Sequence, residues 1–489
     1  MCENPVVKQR RFRTSSDRQR ISPAFRCTRI RNSMSKHRAS SAVPAPRRLK
    51  DRLLGDRRRF LQGVAIGGGL AAVGVAGYWF TRDTETSSTT PEAAPETTAG
   101  ASASPSPTPT PGGAGAGDNA RVDGVEFERG MLHTAADFER MAEKVEAGES
   151  PWIDGWNRLT ANGRSAADWS PRPLETVVRG GDGDNVGQMF TDIHAAYQNG
   201  LRWKISGDEA HATAAVDILN AWSASLKEIT GNADRFLAAG IQGYQAANAA
   251  ELVRDIDGFE LERFQTMLTD VFYPLNDHFL NDHNDACVTN YWSNWDLCNL
   301  NSVLAIGIFN EDEGLVGRAL DYYENGEGNG ALKNAVPFVY DDEGLAQQQE
   351  SGRDQGHSLM ATGLLGSLCE MAWNQGVDLY GMDDNRLAKC AEYVARYNLG
   401  QDVPYTEYIW YNGQDCRYNE QTQISAAQRG QVRPMWALLY HHYAGRQGLS
   451  MPNVADIMAQ NGPEGGGGDY GFGSGGFDHL GFGTLTHAR

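Results

Sequence analysis

Basic residues are scarce over most of this 489-residue chain. Residues 1–59 take 18 of the 44 lysines and arginines but only 4 of the 62 acidic residues, which leaves 26 basic against 58 acidic for the rest. An acidic body excludes nucleic acid as a general partner. It favours solubility, and it obliges any anionic ligand to bind at a local basic patch. Cysteine is sparse too: Cys2, Cys27, Cys287, Cys298, Cys369, Cys390 and Cys416. None forms a Cys-x-x-Cys pair, so a zinc or redox motif has no support. Cys287 and Cys298 flank a polar-aromatic cluster, and a bridge between them would pin that loop. Cys369 and Cys390 fall in helical patterns as small core residues. Strand alternation is nearly absent, and no fixed repeat marks a regular solenoid.

What is present divides into five stretches. Residues 1–59 form a basic leader whose composition predicts disorder. Within it Met34 is a second candidate start. The segment Asp56-Arg57-Arg58-Arg59-Phe60-Leu61-Gln62 fits the twin-arginine export pattern. Residues 60–80 supply its hydrophobic region, uncharged from Val64 to Phe80. That run is Gly-rich and moderately apolar, as suits an export signal; left uncleaved it would act as a membrane anchor. The pattern predicts a secreted or cell-surface protein, periplasmic where an outer membrane exists. Residues 81–120 are a Ser/Thr/Pro/Gly linker. Residues 121–461 carry one helical pattern after another, including Ala135–Ala147, Met189–Ile205, Gln355–Gln375 and Asp384–Asn398. About 340 residues of paired helices exceed a four-helix bundle. They predict an all-α fold, an (α/α) toroid built as an incomplete barrel of paired helices. Residues 462–489 form a Gly-rich tail whose Asp478, His479, Leu480 and Phe482 favour docking.

Two clusters carry candidate chemistry. Glu350, Arg353 and His357 stand at i, i+3 and i+7, the spacing of one helical stripe, and Asp354 joins them. Upstream runs Asn290-Tyr291-Trp292-Ser293-Asn294-Trp295-Asp296. A carboxylate, a guanidinium and an imidazole beside tryptophans suit a cleft that grips a sugar acid and moves a proton. Three segments also resemble the alginate lyase superfamily of polysaccharide lyases, in the branch that includes glucuronan and alginate lyases. They are NYWSNWDLCNLNSVLAIGIF, ESGRDQGHSLMATGLLGSLCEMAWNQGVDLYG and FLAAGIQGYQAANAAELVRD. The resemblance spans roughly residues 128–461 and implies the same toroid.

The chemistry of that family is elimination from a β-1,4-linked polyuronate such as alginate or glucuronan. The C6 carboxylate is neutralised, a base takes the C5 proton, and an acid protonates the leaving O4. His357 is the natural base, and Arg353 can bind the carboxylate through its planar fork. Asn294, and next Asn290, are candidate neutralisers. In the better-known toroid lyases the catalytic His directly follows an Asn; here Tyr291 and Trp295 stand at those positions, which shifts weight to His357. The related lyases donate the proton from a Tyr, but their spacing is not kept after Arg353. Tyr411 is therefore the expected donor, from a VPYTEYIWYNG loop that also offers Tyr405 and Tyr408. Trp292, Trp295, Glu350, Tyr244, Gln242, Asn248 and His133 complete the expected substrate contacts. His194 and His442 read as structural.

No cofactor is required for elimination. Glu350, Asp354 and His357 match no strong metal-ligand spacing. The expected partner is an anionic polysaccharide, and the expected state a monomer. Two alternatives stay open. One is an (α/α) glycoside hydrolase using Asp296, Glu350 or Asp354 as acid and base, which needs two carboxylates facing across a sugar. The other is a non-catalytic carbohydrate-binding surface protein.

Overall fold

The computed structural model describes residues 127–489. The expectations for the leader, the export segment and the linker lie outside the described residues. Helices α1 (Ala135–Ala147), α2 (Trp152–Ala161), α3 (Val186–Ser206) and α4 (Glu209–Ser225) come first. Next, α5 (Arg235–Leu237) runs through a π turn, Ala238–Gln242, into α6 (Gly243–Glu251). In the same way α7 (Leu261–Met267) passes through Leu268–Phe272 into α8 (Tyr273–Asp282). Then come α9 (Ser293–Asn310), α10 (Glu313–Asn325) and the short α11 (Leu332–Ala335). After these lie α12 (Gln355–Asn374), α13 (Met382–Asn398), α14 (Trp436–Tyr440), α15 (Pro452–Asn461) and α16 (Gly483–Thr486).

Burial separates an inner set from an outer one. Helices α3, α6, α9 and α12 are buried on nearly every side, as befits runs like Val303–Phe309 that are apolar all round. Packing links α3 to α6, α6 to α9, α9 to α12 and α12 to α14, then runs through α16 and α1 back to α3. Outside this ring α4 lies on α3, α10 on α9 and α13 on α12. The fold is therefore an all-α toroid of paired helices. Its inner helices approach closely: a Cβ at Gly240 would fall 2.8 Å from the backbone N of Asn299 in α9.

The Gly-rich tail is part of this body. Phe477, Leu480, Phe482 and Leu485 are buried. The Tyr244 hydroxyl donates to the Asp478 carbonyl at 2.8 Å, and Gln245 Nε2 donates to the Phe477 carbonyl at 2.7 Å. The Asp478 carboxylate pairs with Arg433 at 2.6 Å.

Among the described residues, three two-stranded pieces decorate the helices. Strands β1 (Thr176–Arg179) and β2 (Glu228–Gly231) pair parallel. Strands β3 (Phe338–Tyr340) and β4 (Leu345–Gln347) pair antiparallel. The stretch expected as a tyrosine loop is instead a hairpin of β5 (Tyr408–Asn412) and β6 (Arg417–Gln421), with Tyr408 opposite Gln421 and Tyr411 opposite Tyr418. Aromatic and β-branched residues before Asn412-Gly413 are a hairpin signal. The expected Cys287–Cys298 bridge is corrected. Cys287 pairs with Cys416 at the hairpin end, while Cys298 is buried and free. Cys298 sits inside α9, where its side chain packs into the core. No helix among the described residues is long and apolar enough to cross a membrane.

Candidate active site

The site forms where the N-termini of two inner helices, α9 and α12, meet. A helix start leaves backbone N–H groups without intrahelical partners. In α9 the Ser293 N–H donates to Gln349 Oε1 at 3.0 Å, and the Asn294 N–H donates to Glu350 Oε1 at 2.8 Å. A remote carboxylate thus caps α9, placed where the helix dipole favours negative charge. In α12 the cap is local: Asp354 Oδ1 accepts the His357 N–H at 2.8 Å.

This geometry revises the single helical stripe. Glu350 lies in a 3₁₀ turn, Gln349–Gly352, and Asp354 has extended backbone angles, φ −168° and ψ 164°. The chain breaks between Glu350 and His357, yet their side chains converge. Arg353 Nη1 donates to Glu350 Oε2 at 2.9 Å, and Nη2 donates to His357 Nε2 at 3.2 Å. His357 Nδ1 lies 2.7 Å from Asp354 Oδ2. A carboxylate at Nδ1 assigns the proton there and leaves Nε2 as acceptor. Burial pushes the Asp354 carboxyl up, but hydrogen bonds from His357 outweigh it and hold it below the ordinary range.

Accessibility separates these groups by use. The Glu350 side chain is fully buried, while those of Arg353 and His357 keep 26% and 35% of their surface exposed. Glu350 also accepts from Ser293 Oγ at 3.0 Å and, at both oxygens, from Asn294 Nδ2 at 2.9 and 3.0 Å. A buried carboxylate persists only with such a set of donors. Ser293 in turn accepts from Gln348 Nε2 at 2.8 Å. Sequence reasoning missed Ser293, Gln348 and Gln349, because their importance arises from partners about 55 residues apart.

Several expected contacts move. Asn294 is buried, and its amide donates to both Glu350 oxygens. Asn290 accepts the Gly413 N–H through Oδ1 at 2.6 Å and so ties the hairpin turn down. Trp292 belongs to the site, with its ring centroid 5.4 Å from the Arg353 guanidinium carbon. Trp295 packs instead on Tyr291 and Phe279, at 4.7 and 5.9 Å between centroids. Tyr411 is not brought to Arg353 and His357. It points to the outer side of β5, where it is 47% exposed and packs on Tyr418. Tyr408, three positions before Tyr411 and so on the opposite face of β5, points inward; its hydroxyl accepts from Gln349 Nε2 at 2.8 Å. Burial pushes that hydroxyl up to about 12, so it stays protonated at neutral pH. Tyr405 donates to the Gln421 carbonyl at 3.0 Å within the hairpin base.

Four further residues lie in the interior, among them partners of the tail. Tyr244 is spent on Asp478. Asn248 accepts the Leu132 N–H at 3.1 Å. His133 shares a 2.7 Å hydrogen bond with the Tyr197 hydroxyl. Gln242 is buried in the first π turn. None of the four has a polar contact with Arg353 or His357 among the described residues. The carboxylate pair of a hydrolase is likewise missing from this cluster. Glu350 is enclosed, Asp354 is bound to His357, and the buried Asp296 accepts from Tyr322 at 2.6 Å beside His283.

Residues 136–403, more than half of the chain, match the family described as alginate lyase. The chain belongs to the alginate lyase family and is a polysaccharide lyase. Among solved structures, an alginate lyase from Bacteroides ovatus is 14% identical, covering 68% of this chain and 96% of its own, with a TM-score of 0.49. Alginate lyase A1-III from Sphingomonas species A1 is 15% identical over 68% of this chain and 93% of its own, with a TM-score of 0.43. A form of A1-III complexed with a tetrasaccharide is 14% identical, covering 67% and 89%, with a TM-score of 0.46. No curated protein matches the chain. The assignment rests on the family match.

Proposed function

We propose that this lyase cleaves a β-1,4-linked polyuronate, alginate or glucuronan, by β-elimination at the Arg353–His357 cluster. The supporting observation is the 3.2 Å separation of Arg353 Nη2 and His357 Nε2. In a uronate the C6 carboxylate and the C5 proton are on adjacent carbons. A guanidinium and a base that touch each other can therefore address both at once. Arg353 binds the carboxylate, as its planar donors suit, and this binding takes its N–H away from His357. His357 Nε2, freed, removes the C5 proton. Asp354 steadies the imidazolium that forms, and Glu350 fixes Arg353. Arg353, partly exposed, is the local cation that meets an anionic substrate despite the acidic body. Tyr408 is the proposed donor to O4, because it is the inward, protonated tyrosine of the hairpin.

The test is to incubate the protein with polymannuronate, polyguluronate and glucuronan and to follow the ultraviolet absorbance of unsaturated ends. A rise with at least one polymer is expected. No rise with any, in a folded preparation, overturns the assignment of a polyuronate. We also propose secretion by twin-arginine export, supported by residues 56–80. The leader fused to a reporter should be exported, and Arg57→Lys with Arg58→Lys should stop it. Unchanged export of that double variant contradicts the route.

A further inference from the structure

The β5–β6 hairpin presents two chemically different faces. Its outer face carries Ile409, Tyr411 and Tyr418, all exposed. Its inner face carries Tyr408, Trp410 and Asn412 from β5, with Asn419 opposite Trp410 and Arg417 opposite Asn412. Alternation along the strands fixes this division, and burial follows it: Tyr408 is buried, and Trp410, Asn412 and Asn419 are half-buried. The Trp410 ring lies 4.9 Å from that of Trp292, which the Arg353 guanidinium approaches at 5.4 Å. Tyr408 and Trp410 are stacked 14° from parallel, with centroids 6.0 Å apart, and form an aromatic strip. The strip is held in place at one end by the Cys287–Cys416 bridge and by the Asn290 bond to Gly413. At the other end Gln347 and Gln349 bind Thr406 and Tyr408.

An aromatic surface edged by amides and a cation has the chemistry that recognises a uronate ring: an apolar sugar face, hydroxyl groups and a carboxylate. We propose that the inner face of this hairpin is a second sugar subsite. Trp410 stacks on the uronate next to the one gripped by Arg353, Asn419 bonds its hydroxyl groups, and Arg417 meets its carboxylate. Arg417 is exposed and bonded to Asp415 at 2.8 Å, so the carboxylate competes for a partner at the surface. The inference rests on the polyuronate reading above and adds a subsite to it.

The test compares Trp410→Ala, Trp410→Phe and the outer-face control Tyr418→Ala on a polyuronate that the unaltered protein cleaves, and on its trimer. Trp410→Ala should raise KM for the polymer about tenfold, the scale of one lost aromatic contact, with kcat within about twofold. Trp410→Phe should recover most of that loss, and Tyr418→Ala should change neither constant. Retardation of the His357→Ala protein in polymer-containing gels supplies a readout without turnover, and adding Trp410→Ala should weaken it. An unchanged KM, or a fall in kcat at constant KM, overturns the subsite while leaving the lyase reading intact. A protein that neither cleaves nor is retarded by any polyuronate overturns both.

Discussion

Nη2 of Arg353 donates to Nε2 of His357 across 3.2 Å, although the backbone between them leaves the helix. A 3₁₀ turn brings Arg353 forward, and the extended Asp354 restarts the chain as α12. The pair should act as a unit. His357→Ala and Arg353→Ala should each lose at least about a hundredfold in turnover, the usual scale for a positioned proton-transfer group, and the double variant should lose little more. Arg353→Lys keeps charge without the planar fork and should recover only part. Steady-state kinetics with circular dichroism as a folding check decides this; additive losses contradict the coupling.

Asp354 has two separable duties. Its Oδ1 caps α12, and its Oδ2 takes the Nδ1 proton of His357. Asp354→Asn keeps a good cap but removes the charge that steadies the imidazolium, so it should melt within a few degrees of the unaltered protein and lose turnover. Asp354→Ala should also lose about 1 kcal/mol of stability. Turnover retained in Asp354→Asn would show that the carboxylate only caps.

Glu350 is the buried hub. Removing it leaves Ser293, Asn294 and Arg353 with donors and no acceptor. Glu350→Ala should cost roughly 3 to 5 kcal/mol, the scale for breaking a buried charge pair. Chemical denaturation reads this directly, and a loss below about 1 kcal/mol would mean that water replaces the carboxylate.

How much of this was legible in the sequence follows from the range of the interactions. Helix periodicity and resemblance carried the toroid, since α9 and α12 are long and largely apolar. The same reading singles out Arg353, His357 and Trp292, which the structure places close to one another. The hairpin differs from the expected loop because Tyr-rich alternation before Asn412-Gly413 is too short to separate strand from loop by period alone. The bond from the Asn294 amide to Glu350 spans 56 positions, a pairing no local pattern reveals. The opposite faces of Tyr408 and Tyr411 are not legible until the strand is recognised.

Acid should loosen the interior beneath the tail. Burial holds the imidazoles of His133, His194 and His479 down to about 4 from the ordinary 6.5. They are neutral when folded and take protons when unfolded between those values. Their contribution is therefore lost as pH falls from about 6.5 towards 4, on the order of 3 kcal/mol for each group at the lower limit. Melting temperature should fall steadily on acidification, and His479→Gln should make the fall shallower. An identical pH slope in that variant contradicts the assignment.

Reduction should act on the hairpin before the core. Cys287–Cys416 joins the hairpin end to the loop that leads into α9. Cys287→Ser with Cys416→Ser should raise hydrogen exchange in Tyr408–Gln421 and lower turnover, with α3 and α12 still protected. Uniform exchange changes throughout the toroid would instead make the bridge a global staple.

The central claim is elimination without water, and the masses of the first products test it most directly. Cleavage of a defined polyuronate oligomer by the unaltered protein should give a new non-reducing fragment one water lighter than its hydrolysis counterpart, absorbing in the ultraviolet. Fragments carrying the full mass of hydrolysis, with no absorbance, would contradict the account and return the chemistry to a pair of carboxylates.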